Sequence, residues 1–267
     1  MDARLPDEVY NDVRELLPPQ AKPGPRGVRQ RIDSLKVLRV IWFVLTVGCR
    51  WRDVPKEFGC SGETARTRLK HWQEAGVWKR LHERLLEELN RLGLLDTKTV
   101  VVDSARVRAF GGGDRSGPSP TDRRKKGTKY TLLVDARGTP LFMQAAAANM
   151  SDHRQFLSTV AGFPRITGRS GRPRKMPSFV FADAGYDSDP ARVILKLMKV
   201  TPYVRRRKTP HGSRLGTVRW VVERSFSWLL GLRRMRIRYD RHPILIDAWI
   251  NLSLAAVCFR VLIRSIT

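Results

Sequence analysis

Acid is in short supply in this sequence. Asp and Glu number 25 against 51 Lys and Arg, a formal net charge of +26 over 267 residues. That imbalance argues against a basic partner and points to a polyanion, most often nucleic acid. Cysteine is scarcer still. Cys49, Cys60 and Cys258 form no CxxC pair, and the five His lack zinc-like spacing. So sparse and odd a set excludes a disulfide framework and reads as reduced packing thiols of an intracellular, cytoplasmic protein. Long apolar runs are missing too. "VLRVIWFVLTVG" and "LSLAAVCFRVLI" are each about 12 residues, too short for a bilayer and suited to buried helices. "MDARLPDEVYNDV" does not read as a signal peptide. No lipidation motif is present, so no membrane partner is expected.

What remains is enough for a folded core: 42% of residues are hydrophobic and seven are Trp. A ribosomal protein would share the charge but rarely so many Trp. Residues 18–31 form a Pro/Gly-rich basic arm. "DSLKVLRVIWFVLTVG" has a cap at Asp33 or Ser34, an apolar face of Leu35, Leu38, Ile41, Trp42 and Leu45, and a stop at Gly48. "RWRDVPKEFG" predicts a short helix closed by Gly59. "SGETARTRLKHWQEAG" predicts a helix capped by Ser61 and anchored by Leu69 and Trp72, with Arg66, Arg68 and Lys70 on its polar side. "VWKRLHERLLEELNRLG" predicts another, with Trp78, Leu81, Leu85, Leu86, Leu89 and Leu92 on one side. Helix, Gly-bearing turn and basic helix follow helix-turn-helix logic, although a solvated face is the plainer alternative.

Past Leu95 the texture becomes α/β. "KTVVVDSARVRAF" predicts a short strand ending at Asp103. Next come a Gly/Ser/Pro/Arg/Lys loop and a β-hairpin turning at Asp135–Gly138. A helix capped at Ser151 and an acid-free basic loop follow. "SFVFADAGYDS" predicts a strand, and Asp189 a cap for the helix after it. Another short strand precedes a long helix with an inward stripe of Val218, Val221, Val222, Ser225 and Leu229. A final apolar helix covers about 244–263. The order predicts one mixed sheet.

Two apolar strands thus end in aspartate, Asp103 and Asp183, at the rim where open α/β sheets bind ligands. Glu223 sits in the long helix, flanking its inward stripe. Each has a plain reading: Asp103 as a turn cap, Asp183 in a tight turn with Gly185, Glu223 in a surface pair with Arg219 or Arg224. Asp187, Asp189, Asp135 and Asp152 read as loop, turn and cap residues. Taken together, Asp103, Asp183 and Glu223 suggest oxygen ligands for a hard divalent cation such as Mg²⁺, with room for phosphate oxygens.

"GCRWRDVPKEFG" and "TARTRLKHWQEAGVWKRL", followed in order by "VVDSARVRA", "LLVDARGTPL", "ADAGYDS" and "RWVVERSFSWLLGLRRMRIRYD", resemble the blocks of a known family. This is the DDE transposases of bacterial insertion sequences, in the IS-four/IS-five superfamily and closest to IS-five. The resemblance spans nearly the whole chain. It implies a ribonuclease-H-like catalytic domain over 96–267, preceded by an all-α helix-turn-helix DNA-binding domain over 1–95. It also implies a catalytic and metal-binding triad of Asp103, Asp183 and Glu223, using Mg²⁺ or Mn²⁺, with two ions expected. Double-stranded DNA would be the partner, as element ends and target, held by a homodimer. Arg66, Arg68, Lys70, Arg124, Lys125, Arg172, Arg174, Arg206, Arg219, Arg233 and Arg234 are the expected DNA contacts. The chain departs from the superfamily at Gly216, where tyrosine is usual, at Leu230, where lysine is usual, and at Ala184, where a basic residue is usual. Arg233 and Arg234 are expected to supply the missing lysine's charge. The alternatives are an inactive helix-turn-helix regulator and a nuclease of the same fold without strand transfer.

Overall fold

Ser34 to Val47 winds into a helix because both its ends are marked in the sequence. The Asp33 carboxylate accepts the Leu35 N–H, and Gly48 takes the left-handed conformation (φ 75°) that closes the last turn. The computed structural model describes residues 6–19, 31–206 and 215–266, with only the backbone of 215–219 and 266. Most of the basic arm lies outside these residues. The helices before the sheet are α1 (Asp7–Leu16), α2 (Ser34–Val47), α3 (Gly62–Glu74) and α4 (Val77–Arg91). Ser61 caps α3 by accepting the Thr64 N–H at 3.2 Å. Where one short helix is predicted between α2 and α3, two 3-10 turns stand instead, Trp51–Asp53 and Lys56–Phe58. Pro55 separates them because it has no N–H to donate and holds Val54 extended. Leu92 lies beyond the last residue of α4 and is exposed, outside the predicted apolar face.

The rest of the chain gives β1 (Thr99–Ala109), β2 (Gly117–Pro118), β3 (Lys126–Asp135), β4 (Pro140–Ala147), α5 (Asp152–Ala161), β5 (Phe179–Ala182), α6 (Asp189–Leu197), β6 (Thr201–Val204), α7 (Leu215–Gly231), α8 (Arg233–Arg236), β7 (Ile237–Arg238) and α9 (Pro243–Ile266). β3 runs antiparallel to both β4 and β1, and β1, β5 and β6 run parallel. β1 is therefore central, flanked by β3 and β5. The short β2 extends the β4 edge, and β7 pairs the end of β1. This order, with antiparallel strands on one side and parallel strands on the other, is the expected ribonuclease-H-like arrangement.

Val100, Val101 and Val102 are all fully buried. Successive side chains of a strand point to opposite faces, so both faces of the sheet are covered here. α5 lies on one face and packs against α6. α7 packs against β1, β3 and β5 and is joined by α9.

α9 also packs against α3 and α4, and the apolar core runs unbroken from Val9 to Phe259. Its stretch Pro243–Ser265 is long and apolar enough to cross a membrane, longer than the 12-residue run suggested. The apolar pattern begins earlier, at Leu245, Ile246 and Trp249, and most of the stretch is buried within the protein.

A candidate carboxylate site at the rim of the sheet

The parallel pairing of β1 with β5 ends at Val102 opposite Ala182. The next residue on each strand is an aspartate. Asp103 and Asp183 therefore leave the same rung of neighbouring strands, which lie about 4.8 Å apart. Each carboxylate accepts the N–H of the following residue, Ser104 at 2.8 Å and Ala184 at 2.6 Å. Asp183 does end its strand and opens a 3-10 turn over Ala184–Tyr186. Asp103 does not end β1, which continues to Ala109. β3 pairs β1 as far as Arg108, and β7 joins at its end, so the strand has partners where β5 has stopped.

Behind the pair lies a polar cluster that the sequence did not reveal. Lys129 of β3 is fully buried. Its ammonium donates to the Met150 carbonyl and to the Asp152 carboxylate, the latter at 2.8 Å. The same oxygen of Asp152 accepts the Ser104 hydroxyl at 2.8 Å. Ser104 thus bonds Asp103 through its N–H and Asp152 through its O–H. A Cβ on Gly185 would come within 3.4 Å of the other Asp152 oxygen, so the turn that Asp183 opens lies close against this carboxylate. Burial opposes the charge on Asp152. The hydrogen bonds from Lys129 and Ser104, with the charges of Lys129 and Arg106, hold its pKa below the ordinary value all the same. Tyr186 meets Phe156 at a tilt, with ring centroids 5.4 Å apart and 53° between the planes. Burial pushes the pKa of its hydroxyl well up, the nearby Ser104 side chain lowers it, and the charges of Asp103, Asp152 and Asp183 raise it. Asp152 is therefore more than a cap. A carboxylate and a strand lysine, far apart in sequence, carry no local sign that they will meet.

Glu223 is exposed on α7, not turned partly inward as its place beside the apolar stripe suggested. The stripe itself holds: Val221, Val222, Ser225 and Leu229 are buried, while the Val218 side chain lies outside the described residues. Among the described residues no three His, Cys, Asp or Glu side chains are gathered closely enough to hold a metal ion. Asp103 and Asp183 come together; Glu223 does not join them. Two all-oxygen ligands at the mouth of a sheet still suit a hard cation, since Mg²⁺ binds through one or two carboxylates and keeps other positions for water and phosphate. Of the other acids, Asp187 pairs with Arg192 at 2.7 Å. Asp189 is the first residue of α6 and Ser188 is its cap, so the predicted cap shifts by one. The Asp135 carboxylate is fully buried and accepts the N–H groups of Asp96, Arg137 and Thr139.

The expected DNA contacts divide. Arg124, Lys125, Arg172, Arg174, Arg206 and Arg233 are exposed. Arg66, Arg68 and Lys70 are half-buried on the polar side of α3, where Arg66 meets Glu63 at 2.9 Å and Lys70 meets Glu74 at 3.7 Å. The Arg219 side chain lies outside the described residues. Arg234 is a correction. It is 3% exposed, bonds Asp240 at 2.7 Å and the Cys49 carbonyl at 3.1 Å, and lies among the rings of Trp51, Tyr239 and Trp249. A guanidinium closed in this way cannot supply charge to a ligand. α8 is short, and of its two neighbouring arginines Arg233 is exposed while Arg234 is buried.

Residues 94–258 match the family model described as "Transposase DDE domain". Residues 5–82 match "Putative transposase of IS4/5 family (DUF4096)". The chain is 36% identical over 206 residues to the "Putative transposase for insertion sequence element IS402" of Burkholderia cepacia, covering 77% of this chain and 90% of that protein. The chain belongs to the DDE transposases. A second relative in the same organism, "Insertion element IS402 uncharacterized 16.2 kDa protein", is 43% identical over 121 residues, 43% of this chain and 80% of that one. Among solved structures, "Crystal structure of the Mos1 Strand Transfer Complex" aligns over 92% of this transposase and 78% of that chain. Its TM-score is 0.36 and its identity 13%, too slight a likeness to argue from. The transposase is thus a DNA-transposing enzyme by family, and its sheet carries Asp103 and Asp183 side by side at one rim.

Proposed function

We propose that this transposase cuts the terminal inverted repeats of an insertion sequence and joins the freed 3′-hydroxyl ends to target DNA, with Asp103, Asp183 and Glu223 as the reacting centre. The observation that carries this reading is the shared rung of Asp103 and Asp183. Asp103 and Asp183 would hold the divalent ion, and Glu223 would complete the set. Glu223 has no hydrogen bond or ion pair among the described residues, so turning its carboxylate inward breaks nothing there. Bound at these carboxylates, Mg²⁺ or Mn²⁺, in one or two copies, would supply the charge that activates water and stabilises the leaving oxygen.

The chain's own residues do the rest. The Ser104 N–H fixes one Asp103 oxygen, and the Ala184 N–H fixes one of Asp183. Asp152 and Lys129 hold Ser104 from behind. Residues 1–95 recognise the element ends, with Arg66, Arg68 and Lys70 toward the DNA. The ion pairs of Arg66 and Lys70 are short-range surface pairs worth little, so phosphate or base edges can replace them. Because α9 completes the packing of α3 and α4, end recognition is a property of the full chain. Two ends must be cut together, which implies a dimer on DNA.

The test is cleavage of a supercoiled plasmid that carries the gene with its flanking DNA, in Mg²⁺ and in Mn²⁺. Wild type should nick at the element boundaries. Asp103→Asn, Asp183→Asn and Glu223→Gln should each abolish nicking and leave end binding intact. Substantial metal-dependent nicking by any one of these variants would remove that residue from the centre.

A further inference from the structure

Among the described residues, three guanidinium groups that leave solvent do so against a carboxylate, and the buried Arg238 does so against the Asp240 and Gly112 carbonyls. Arg192 meets Asp187 at 2.7 Å, Arg234 meets Asp240 at 2.7 Å, and Arg115 is held by Asp247. A cluster on α7 and α9 does otherwise. The Trp228 ring has three guanidinium groups around it: Arg224 at 4.9 Å from the centroid, Arg260 at 5.6 Å and Arg264 at 5.9 Å. Arg224 also lies 4.6 Å over Trp220, itself half exposed. Among the described residues no Asp or Glu pairs with any of the three. Arg224 donates to the Arg137 carbonyl, and its buried Nε finds no partner there.

An indole face attracts each cation, yet it does not cancel the repulsion between them. Arg260 registers that repulsion. Burial lowers its pKa, and the charge of Arg264 lowers it further. No acid among the described residues offsets the three charges. The layout of the cluster is linear. Trp220, Arg224 and Trp228 recur at every fourth residue of α7, and Arg260 and Arg264 at the same step on α9, so each set forms a stripe along its helix. The two helices pack together. A row of cations interleaved with flat rings, two helices wide, suits a run of backbone phosphates better than a single small anion.

We infer that the Arg224–Arg260–Arg264 cluster around Trp228 is a binding surface for the phosphate backbone of DNA. The inference rests on the DNA-acting reading above. Glu223 precedes Arg224 and lies about 100° around α7 from it. A strand held by the cluster therefore passes beside the glutamate of the proposed centre. None of these three arginines is among the DNA contacts expected from the sequence.

The experiment is a salt titration of binding by the full-length protein, read by anisotropy of a labelled duplex taken from the DNA flanking the gene. Three proteins are compared: wild type, Arg260→Gln/Arg264→Gln, and Lys196→Gln/Lys199→Gln. The last loses the same charge from exposed lysines at the end of α6, outside residues 1–95 and the expected DNA contacts. Each phosphate contact contributes about 0.9 to the log–log salt slope, so the cluster variant should lose about two units of slope and about 10–100-fold in affinity at low salt. The control should keep the wild-type slope. Arg264→Gln alone, at an exposed position near the end of α9, should lose about half as much while keeping the wild-type circular dichroism. Equal slopes for the cluster variant and wild type, or for the cluster variant and the control, would overturn the inference and leave the DNA reading standing. A wild-type protein that does not bind the duplex would overturn both.

Discussion

Arg234 and the Trp228 cluster answer the same packing question in opposite ways. Both place guanidinium groups against indole rings. Arg234 sits 5.6 Å from Trp51, 5.3 Å from Tyr239 and 5.6 Å from Trp249, and the Asp240 carboxylate shares the pocket and also accepts the Trp249 N–H at 2.9 Å. Its charge is satisfied inside the chain, and its bond to the Cys49 carbonyl ties α8 to the end of α2. Around Trp228 three cations share one ring without an acid. A buried cation with its carboxylate belongs to the architecture. Cations gathered without one are left for a ligand. The Lys129–Asp152 pair belongs with Arg234, as a buried charge spent on holding other residues in place.

The largest loss is expected at Arg234. Arg234→Met leaves Asp240 buried and unpaired, and removing one partner of a buried pair costs about 3–5 kcal/mol. Urea unfolding should show that loss, and Arg234→Met/Asp240→Asn should recover part of it. A loss below about 1 kcal/mol would mean that the pair does not hold the halves together.

Lys129→Met should cost less, about 2–3 kcal/mol, because the Asp152 side chain keeps 25% exposure and can be hydrated when abandoned. Asp152→Asn retains the shape and releases Ser104, and should weaken Mn²⁺ binding about 10-fold, as loss of an orienting partner behind a ligand does. Unchanged Mn²⁺ affinity in Asp152→Asn would reduce this pair to packing alone.

Burial without a charge partner gives a third case. His82 is buried, donates to the Pro140 carbonyl at 2.9 Å, and has its pKa lowered to about 4 by burial. The unfolded chain takes up the proton first, so stability is full above about pH 6.5 and falls toward pH 4, by up to about 1.4 kcal/mol per unit. Asp135 acts in the opposite sense. Burial raises its pKa to about 6, so its contribution is full below the ordinary carboxylate value and is lost as pH rises through about 6. The two slopes oppose each other between pH 4 and 6. Stability should fall with rising pH there in His82→Gln, and with falling pH in Asp135→Asn. Parallel curves for both variants would contradict the pairing.

The smallest expected effect is on the other side of the comparison. Arg260→Gln/Arg264→Gln should change unfolding free energy by no more than about 0.5 kcal/mol, as surface changes outside the core do. A large loss would make the Trp228 cluster architecture too.

Much of this was legible in the sequence where the signal is local. The caps at Asp33 and Ser61, the stop at Gly48 and the hairpin turn at Gly138 need only their neighbours. The β1 boundary was missed because the strand's later partners come from β3 and β7, far along the chain. The alternation of Ser104, Arg106 and Arg108 with Ala105, Val107 and Ala109 is a period-two pattern that could have carried the strand past Asp103. Nothing local separates Arg233 from Arg234. Cys49 and Trp51 decide their fates from the other half of the chain. The aspartate pair was readable because each follows a short apolar run, but their common rung was not, since register is set by pairing across the sheet.

Binding of a divalent ion between Asp103 and Asp183 underlies the proposed chemistry. It is tested most directly by Mn²⁺ titration of the full-length protein, with free Mn²⁺ followed by electron paramagnetic resonance, for wild type, Asp103→Asn and Asp183→Asn. Wild type should bind Mn²⁺ saturably, and each variant should lose at least about 10-fold in affinity with duplex binding unchanged. Wild-type Mn²⁺ affinity in either variant would contradict it.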